Sequence, residues 1–249
     1  MATNPNPSKA NRHTLIMATS GMGKTTLLKN QMMLRKTRVI FWDPNLDHKA
    51  TIRVKSLQQF YSQLVSQAKS EKGHISIAVS IDRNQPVVFE KFCRVIWEVL
   101  DGNRDTVIVI EELANVSMTS HKAGPEFGRM IREGRKFGAV IYATTQRMQE
   151  IDKTIFTQVQ TKIVGGHDIR DAEFVSRYIN IPAQDIYNLK IGEFYTKDLG
   201  PTVAKKINAR TKPTSKPTKK PTPRPTANRL EPDIKSALPK MGSNVEKKA

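Results

Sequence analysis

The chain has 249 residues with 41 Lys or Arg against 23 Asp or Glu, and its formal net charge of +18 predicts a polyanionic partner, with nucleic acid the leading candidate. Its single cysteine, Cys93, excludes an internal disulfide and a zinc site built from cysteines, as expected in a reducing compartment. No apolar run approaches the roughly 18 residues of a membrane-spanning helix, and residues 1–12 lack the apolar stretch of a secretory signal.

The chain divides into three predicted segments: a flexible N-terminus at residues 1–12, an α/β domain at residues 13–206 and a disordered basic tail at residues 207–249. From residue 211 onward there are ten Lys or Arg, three acidic residues and seven of the 14 prolines. Such a segment has little to bury and favours extended conformations. It is either a solubilising linker or a basic arm that neutralises the phosphates of a nucleic acid.

Short apolar runs alternate with helical patterns through the predicted domain. The runs are rich in β-branched residues, as in strands of a parallel sheet that is covered on both faces. The predicted strands are residues 14–18, 38–42, 75–79, 106–110, 139–144, 161–164 and 193–196. The predicted helices are residues 24–34, 57–69, 87–100, 126–137 and 170–179. This alternation predicts a doubly wound α/β sheet, in which ligands bind at the carboxyl ends of the strands.

A glycine-rich segment that begins at Ala18, A-T-S-G-M-G-K-T-T, joins the first predicted strand to the first predicted helix. Gly21 and Gly23 allow successive backbone N–H groups to curl around an anion, and the start of the helix presents its positive dipole end. In such a phosphate-binding loop, Lys24 reaches the β- and γ-phosphates and the Thr25 hydroxyl binds Mg²⁺. The predicted nucleotide-binding residues are Ser20, Gly21, Met22, Gly23, Lys24, Thr25 and Thr26. The alternative is a glycine-rich turn with a solvent-facing lysine.

Two adjacent acidic residues, Glu111 and Glu112, follow the fourth predicted strand, T-V-I-V-I. A nucleoside triphosphatase needs one carboxylate at the Mg²⁺ and another to orient or deprotonate the attacking water. We therefore predict that Glu111 lies in the metal site together with Thr25, and that Glu112 is the catalytic base. The alternative is an acid pair at the N-terminus of a helix, because the following L-A-N is compatible with a helix start.

The fifth predicted strand ends A-T-T-Q-R and is preceded by R-M-I-R-E-G-R-K-F-G. The amide of Gln146 can contact the γ-phosphate or the attacking water, which makes it a predicted catalytic residue. Arg129, Arg132 and Arg135 are spaced by three residues and share one side of a helix. They form either a solvated basic face or a set from which one arginine projects into a neighbouring subunit's site and stabilises the transferred phosphoryl group.

In combination these motifs resemble those of the HerA–FtsK superfamily of DNA-pumping ATPases. The resemblance spans about residues 14–197 and also includes R-V-I-F-W-D-P, G-R-K-F-G-A-V-I-Y-A-T-T-Q-R, Q-T-K-I-V-G-G-H-D-I-R-D-A and L-K-I-G-E-F-Y. It implies a RecA-like P-loop sheet, ATP and Mg²⁺ as ligands, and a homo-oligomeric ring, expected to be a hexamer, in which an arginine acts in trans. The G-R-x-x-G pattern favours Arg135 over Arg132 for that arginine. Two residues depart from the family pattern, namely Ala18 in place of glycine and Glu111 in place of the usual metal-site aspartate.

Within the superfamily, the short length and the lack of added domains or membrane helices resemble the genome-packaging ATPases of tailless, membrane-containing icosahedral viruses. The resemblance implies an ATP hydrolase that translocates DNA, expected to be a double-stranded viral genome. It also implies capsid or vertex proteins as partners, in the host-cell cytoplasm during assembly and at the packaging vertex of the virion. Lys122, Arg129 and the tail lysines are candidate DNA contacts.

The alternative function is a nucleotide-switched DNA-binding or virion-assembly factor, including a Zot-like phage assembly ATPase, that does not pump processively. A small-molecule kinase is the least favoured hypothesis, because the motifs extend beyond the phosphate loop and the charge is strongly positive. The sequence leaves open the ring stoichiometry, the choice between single- and double-stranded DNA, and the choice between Arg135 and Arg132.

Overall fold

One mostly parallel sheet forms the centre of the computed structural model, which describes residues 1–32, 38–68, 76–81 and 85–211. In chain order the strands are β1 (Thr14–Met17), β2 (Arg38–Trp42), β3 (Ile52–Val54), β4 (Ser76–Val79), β5 (Thr106–Ile110), β6 (Ala139–Thr145), β7 (Thr161–Val164), β8 (Glu193–Asp198) and β9 (Lys205–Asn208). Within the described residues the strand order is β3-β4-β2-β5-β6-β1-β7-β8-β9. Neighbours pair in parallel as far as β7, and β8 and β9 add an antiparallel edge.

Helices connect the parallel strands. In chain order they are α1 (Lys24–Met32), α2 (Leu57–Ala68), α3 (Pro86–Val99), α4 (Pro125–Glu133), α5 (Lys153–Gln158), α6 (Ile169–Ile179) and α7 (Ala183–Tyr187), with 3₁₀ turns at Leu113–Asn115 and Gly134–Phe137. None of the helices in the described residues is long and apolar enough to cross a membrane.

The central strands are buried on both faces because their alternate side chains enter two different apolar clusters. In β5, for example, Ile108 and Ile110 pack on the face that α2 to α7 cover. Val107 and Val109 pack on the other face, together with residues of α1. The near-continuous apolar runs of the sequence follow from this double burial.

The predicted fold class, a RecA-like P-loop sheet that is mostly parallel with helices on both faces, is confirmed. All seven predicted strands occur, and their ends shift by no more than two residues where the structure describes them. The predicted positions 33, 34, 69 and 75, and the tail from residue 212, lie outside the described residues. The helix predicted at 126–137 is an α-helix only to Glu133 and continues as a 3₁₀ turn, where Gly134 packs closely against Ala139.

Four elements are present that the sequence analysis does not predict: β3, β9, α5 and α7. Each is short, and the two strands lie at the edges of the sheet. Strand β9, K-K-I-N, is mostly exposed and polar. Periodicity needs a longer run than these segments provide, and an edge strand is stabilised by pairing rather than by burial of its side chains.

The N-terminal residues 1–12, which the sequence predicts to be flexible, make specific contacts at the amino ends of β1, β5 and β6. The Lys9 ammonium and the Arg12 guanidinium each lie 2.7 Å from a carboxylate oxygen of Asp105. The backbone N–H of Asn6 donates to the carbonyl of Lys136 over 2.7 Å. These partners are nearly a hundred residues or more away in sequence, so the polar composition of the segment alone gives no sign of them.

The chain packs against the phosphate loop again near its last described residues, beyond the predicted domain end at residue 206. Ala209 is buried, and a Cβ on Gly23 would lie 3.8 Å from the Cβ of Ala209. The backbone N–H of Gly192, at the start of the β8–β9 hairpin, donates to the carbonyl of Met22 over 3.0 Å. The antiparallel edge of the sheet therefore supports the loop that follows β1.

Candidate active site

The strand order brings three predicted site segments together. Strand β6 lies between β1 and β5, so the segments that follow these strands are neighbours at the carboxyl edge of the sheet. A cleft of about 510 Å³ opens there. Its lining residues are Ser20, Gly21, Gly23, Lys24, Thr25, Thr26, Asn45, Asp47, Glu111, Glu112 and Gln146. This set contains every predicted nucleotide-binding, metal and catalytic residue except Met22 and Arg135.

The loop after β1 has the backbone geometry that a phosphate cradle requires. Gly21 has φ +78° and Gly23 has φ +95°, both in the left-handed region that favours glycine. A Cβ at Gly21 would meet no atom within 4 Å, so the missing side chain leaves open space in the cleft. Helix α1 begins at Lys24 and directs its N-terminus at this space. Met22 points elsewhere, because its side chain is buried beside Gly166.

The side chain of Lys24 is hydrogen-bonded to backbone carbonyls of the loop that follows β1. Its ammonium donates to the carbonyl oxygens of Ala18, over 2.7 Å, and Thr19, over 3.0 Å. Burial lowers the pKa of this ammonium below its ordinary value, and the nearby charges of Glu112 and Glu111 oppose that effect. The positive charge therefore lies in the cleft with uncharged carbonyl partners, which the charged oxygens of a phosphate can replace.

Glu111 is buried and both of its carboxylate oxygens accept hydrogen bonds. The Thr144 hydroxyl, from β6, donates to Oε2 over 2.5 Å. On the other side, Nε2 of His48 lies 2.6 Å from Oε1. Each carboxylate oxygen can accept a further contact, since the two oxygens together offer about four acceptor positions. The carboxylate is thus fixed in orientation and can still interact with a cation or its waters.

Glu112 takes a strained backbone conformation, with φ 51° and ψ 69°, which is uncommon outside glycine. Its carboxylate accepts hydrogen bonds from the Thr145 hydroxyl over 3.1 Å and from the backbone N–H of Gln146 over 3.1 Å. Its own backbone N–H donates to Thr144 Oγ1 over 3.1 Å. The end of strand β6 therefore orients both acidic side chains, which line the same cleft.

The loop after β2 supplies cleft residues that the sequence analysis does not identify. Asn45 and Asp47 line the cleft. The fully buried Asp43 carboxylate holds the loop by accepting from the backbone N–H groups of Asp47, over 2.8 Å, and His48, over 3.1 Å. The Arg53 guanidinium binds the same carboxylate over 3.0 Å. The sequence signals for this loop are its position directly after an apolar strand and the D-P of R-V-I-F-W-D-P, which do not single out Asn45 or Asp47.

The predicted arginines lie outside the cleft. Arg135 follows α4 and precedes β6, at the amino end of the sheet, where it donates to the carbonyls of Pro7, over 3.1 Å, and Lys9, over 2.6 Å. Arg132 is exposed and makes no hydrogen bond or ion pair within the described residues. Arg129 stacks over the ring of Trp97 at 4.1 Å. Because Arg135 is at the opposite end of the sheet from its own cleft, it cannot act there in cis.

The cleft also meets the requirements of a Mg²⁺ site that is completed by a ligand. Among the described residues, no group of three or more His, Cys, Asp or Glu is arranged to hold a metal ion. Thr25 and Glu111 both line the cleft and offer a hydroxyl and a carboxylate oxygen. Mg²⁺ commonly binds through one or two protein oxygens while substrate phosphates and waters supply the remaining ligands. The residues present therefore fit Mg²⁺ bound together with a nucleotide.

A sequence comparison finds one clear viral relative, although no protein-family model matches the chain. The chain is 36% identical over 159 residues to Protein P9 of Pseudoalteromonas phage PM2. The aligned region spans 64% of the chain and 70% of Protein P9.

Several solved structures share the fold. The genome-packaging NTPase B204 from Sulfolobus turreted icosahedral virus 2, in complex with sulfate, matches with a TM-score of 0.62 at 19% identity, over 82% of this chain and 96% of B204. The bacterial conjugative coupling protein TrwBdeltaN70 matches with a TM-score of 0.57 at 13% identity, over 84% and 88%. VirB4 of Thermoanaerobacter pseudethanolicus matches with a TM-score of 0.56 at 13% identity, over 82% and 91%. B204 structures also contain AMP, ATP-gammaS and AMPPCP.

Proposed function

The chain belongs to the same family as Protein P9 of Pseudoalteromonas phage PM2, and from this premise we propose that it is an ATP hydrolase that translocates DNA to package a viral genome. The observation that carries the proposal is the cleft in which Lys24, Thr25, Glu111, Glu112 and Gln146 meet. The structural likeness to the packaging NTPase B204 and to the coupling protein TrwBdeltaN70 supports a packaging ATPase.

In the proposed reaction the backbone N–H groups around Gly21 and Gly23 bind the phosphates of ATP. Lys24 exchanges its bonds to the Ala18 and Thr19 carbonyls for bonds to phosphate oxygens. This exchange favours the bound state, because the ammonium interacts more strongly with a negatively charged phosphate oxygen than with a neutral carbonyl oxygen. Nucleotide binding therefore releases the lysine from the loop and places its charge on the β- and γ-phosphates.

Thr25 and Glu111 would hold Mg²⁺, which supplies positive charge that stabilises the transferred phosphoryl group. Glu112 accepts a proton from the attacking water as the water oxygen bonds to the γ-phosphorus and the bond to the β-phosphate oxygen breaks. The Thr145 hydroxyl and the Gln146 N–H hold the Glu112 carboxylate in place for this step. The Gln146 side chain, also in the cleft, contacts the γ-phosphate or the water.

The proposed active assembly is a homo-oligomeric ring, a hexamer by resemblance to the HerA–FtsK superfamily, in which Arg135 acts on the neighbouring subunit's ATP. The position of Arg135 at the opposite end of the sheet from its own cleft supports a role in trans. The positive charge of the protein supports DNA as the partner. We place the activity in the host-cell cytoplasm during assembly and at the packaging vertex, with capsid or vertex proteins as further partners.

The proposal is tested by measuring ATP hydrolysis by the purified full chain. The measurement is made without DNA, with single-stranded DNA and with double-stranded DNA, each at two salt concentrations. We expect hydrolysis that depends on Mg²⁺, that DNA stimulates, and that declines at high salt as DNA affinity falls. Hydrolysis that DNA does not stimulate would contradict the translocase hypothesis and favour the nucleotide-switched assembly factor. If the chain bound no nucleotide, both functional hypotheses would be excluded.

A further inference from the structure

A buried histidine from another loop contacts the proposed metal-site carboxylate. Nε2 of His48 lies 2.6 Å from Oε1 of Glu111, and the two residues are only 3% and 5% exposed. Since a carboxylate oxygen accepts, the proton of this hydrogen bond belongs to Nε2 of His48. The contact joins the loop after β2 to the end of β5, and these two strands are neighbours in the sheet. His48 and Glu111 are 63 positions apart in sequence.

The imidazole of His48 is itself held in place. Its ring stacks on Phe41 with a centroid distance of 4.7 Å and an interplanar angle of 23°. Its backbone N–H donates to the buried Asp43 carboxylate over 3.1 Å, and the Arg53 guanidinium binds the same carboxylate over 3.0 Å. The donor atom Nε2 is therefore fixed by packing and by hydrogen bonds that do not involve the cleft.

The second carboxylate oxygen of Glu111 is fixed from the opposite side. Thr144 donates its hydroxyl to Oε2 over 2.5 Å, and the same hydroxyl oxygen accepts from the Glu112 N–H over 3.1 Å. His48, on the loop after β2, and Thr144, on β6, thus hold the two oxygens from the two sides of β5. A carboxylate that is bonded at both oxygens keeps one orientation before any ligand enters the cleft.

We infer that His48 is a positioning residue. It holds the carboxylate of Glu111 in the orientation needed at a metal site where the family pattern has an aspartate. A glutamate side chain has one more rotatable bond than an aspartate, so holding its carboxylate at a metal site loses more conformational entropy. The hydrogen bond from His48 lowers that loss by fixing the carboxylate in advance, as groups next to metal ligands do elsewhere. The inference rests on the proposed function, since it assigns Glu111 to the Mg²⁺ of a bound nucleotide.

The test compares substitutions that differ in where they place a donor. In the full chain, His48→Gln keeps an N–H near the position of Nε2, whereas His48→Asn and His48→Ala do not. The measurement is the binding of a fluorescent ADP analogue, first without metal and then during a titration with MgCl₂. His121→Ala, at an exposed histidine outside the cleft, is the matched control.

We expect His48→Asn and His48→Ala to raise the Mg²⁺ concentration at half-maximal effect by about 10-fold or more, because loss of a group that orients a metal ligand costs 10- to 100-fold in affinity. His48→Gln should stay close to wild type, and all variants should bind the analogue alike without metal. Thr144→Val removes the hydrogen bond to the other oxygen of Glu111, so it should shift the Mg²⁺ response in the same direction. This variant provides the test if the substitutions at His48 prevent folding.

Two results would overturn the inference while leaving the proposed function intact. One is a wild-type Mg²⁺ response in His48→Asn. The other is an equal loss of analogue binding with and without metal, which would make His48 merely structural. If the wild-type chain bound no nucleotide, the proposed function itself would fail.

Discussion

The ammonium of Lys24 donates to the carbonyl oxygen of Ala18 over 2.7 Å, which bonds the phosphate-loop lysine to the residue that replaces the usual first glycine. Ala18 is fully buried, and a Cβ on Gly165 would lie 2.8 Å from its methyl group. The methyl group therefore packs into the core beside a glycine, while the carbonyl faces the loop. The alanine at this position therefore does not place its methyl group in the cleft, whose lining does not include Ala18.

Replacing Lys24 should abolish productive binding of phosphates. In Lys24→Ala the cleft loses the positive charge that we propose contacts the β- and γ-phosphates, so we expect affinity for a fluorescent ATP analogue to fall by about 10²-fold or more, the equivalent of about 3 kcal/mol. Lys29→Ala, at an exposed lysine of the same helix, should bind the analogue normally. Equal losses in the two variants would exclude a specific role for Lys24.

Glu112→Gln should separate binding from hydrolysis. The amide keeps the size of the side chain but cannot accept the proton of the attacking water, so hydrolysis should fall by about 10²- to 10⁴-fold while ATP binding persists. Filter binding of radiolabelled ATP, followed by separation of ATP from ADP, measures both quantities. Glu173→Gln, at an exposed residue of α6, is the control. If the variant releases ADP at the wild-type rate, Glu112 is not the base.

Arg135→Ala should reduce hydrolysis by about 10³-fold, the usual contribution of an arginine that acts in trans on phosphoryl transfer. In mixtures of Arg135→Ala and Lys24→Ala subunits, activity should return at interfaces where one subunit supplies the arginine and the other the cleft. Arg132→Ala should have a small effect. A severe loss in Arg132→Ala with little change in Arg135→Ala would transfer the role to Arg132.

Because Arg135 also binds the carbonyls of Pro7 and Lys9, its replacement disturbs residues 1–12 as well. Asp105→Asn supplies a matched control, since it weakens the ion pairs of the same segment with Lys9 and Arg12 and leaves Arg135 in place. We expect this variant to retain most of the ATPase activity. A loss as large as that of Arg135→Ala would show that the segment, rather than the guanidinium, controls hydrolysis.

The stability of the protein should fall in mild acid because of His13. Burial, followed by the charges of Arg12 and Arg135, lowers the pKa of this histidine from 6.5 to about 4. Between these values the unfolded chain binds a proton that the folded protein does not, so the free energy of unfolding decreases as the pH falls through this window. The contribution of His13 is on the order of 3 kcal/mol.

Urea unfolding at pH 7, 6, 5 and 4.5 measures this dependence. His13→Asn can still accept the hydrogen bond that the Ile141 N–H donates to Nδ1 of His13, but it has no group that titrates in this range. Its slope against pH should be shallower than that of wild type, whereas the exposed His121→Asn should keep the wild-type slope. Parallel curves for His13→Asn and wild type would contradict the assignment.

Removal of residues 212–249 should reduce DNA affinity more than ATPase activity. The deletion removes ten basic residues and leaves β9 and its contacts with the phosphate loop. The plot of log affinity against log salt concentration should become less steep, because fewer phosphate contacts release counterions. ATP hydrolysis without DNA should remain near wild type. An unchanged salt dependence would support the solubilising-linker interpretation of the tail.

The elements that the sequence predicts and those it misses differ in how they are stabilised. Strand β5 is evident from T-V-I-V-I because burial on both faces requires an apolar run. Strand β9 is not evident, because it is held by backbone pairing with β8. Residues 1–12 are likewise held by long-range partners such as Asp105. Contacts of this kind leave no local pattern in the sequence.

The sequence by itself determines which residues are candidates for the proposed chemistry: the glycines, lysine and threonine of the phosphate loop, the acid pair Glu111 and Glu112, and Gln146. Their types and their places after apolar strands follow from local chemistry, so motifs are sufficient to predict that they share one cleft. The tertiary structure decides how they are held. The strand order places Thr144 and His48 on either side of Glu111 and ties Arg135 to Lys9. These partners are distant in the chain, and only the pairing of neighbouring strands brings them within hydrogen-bonding distance.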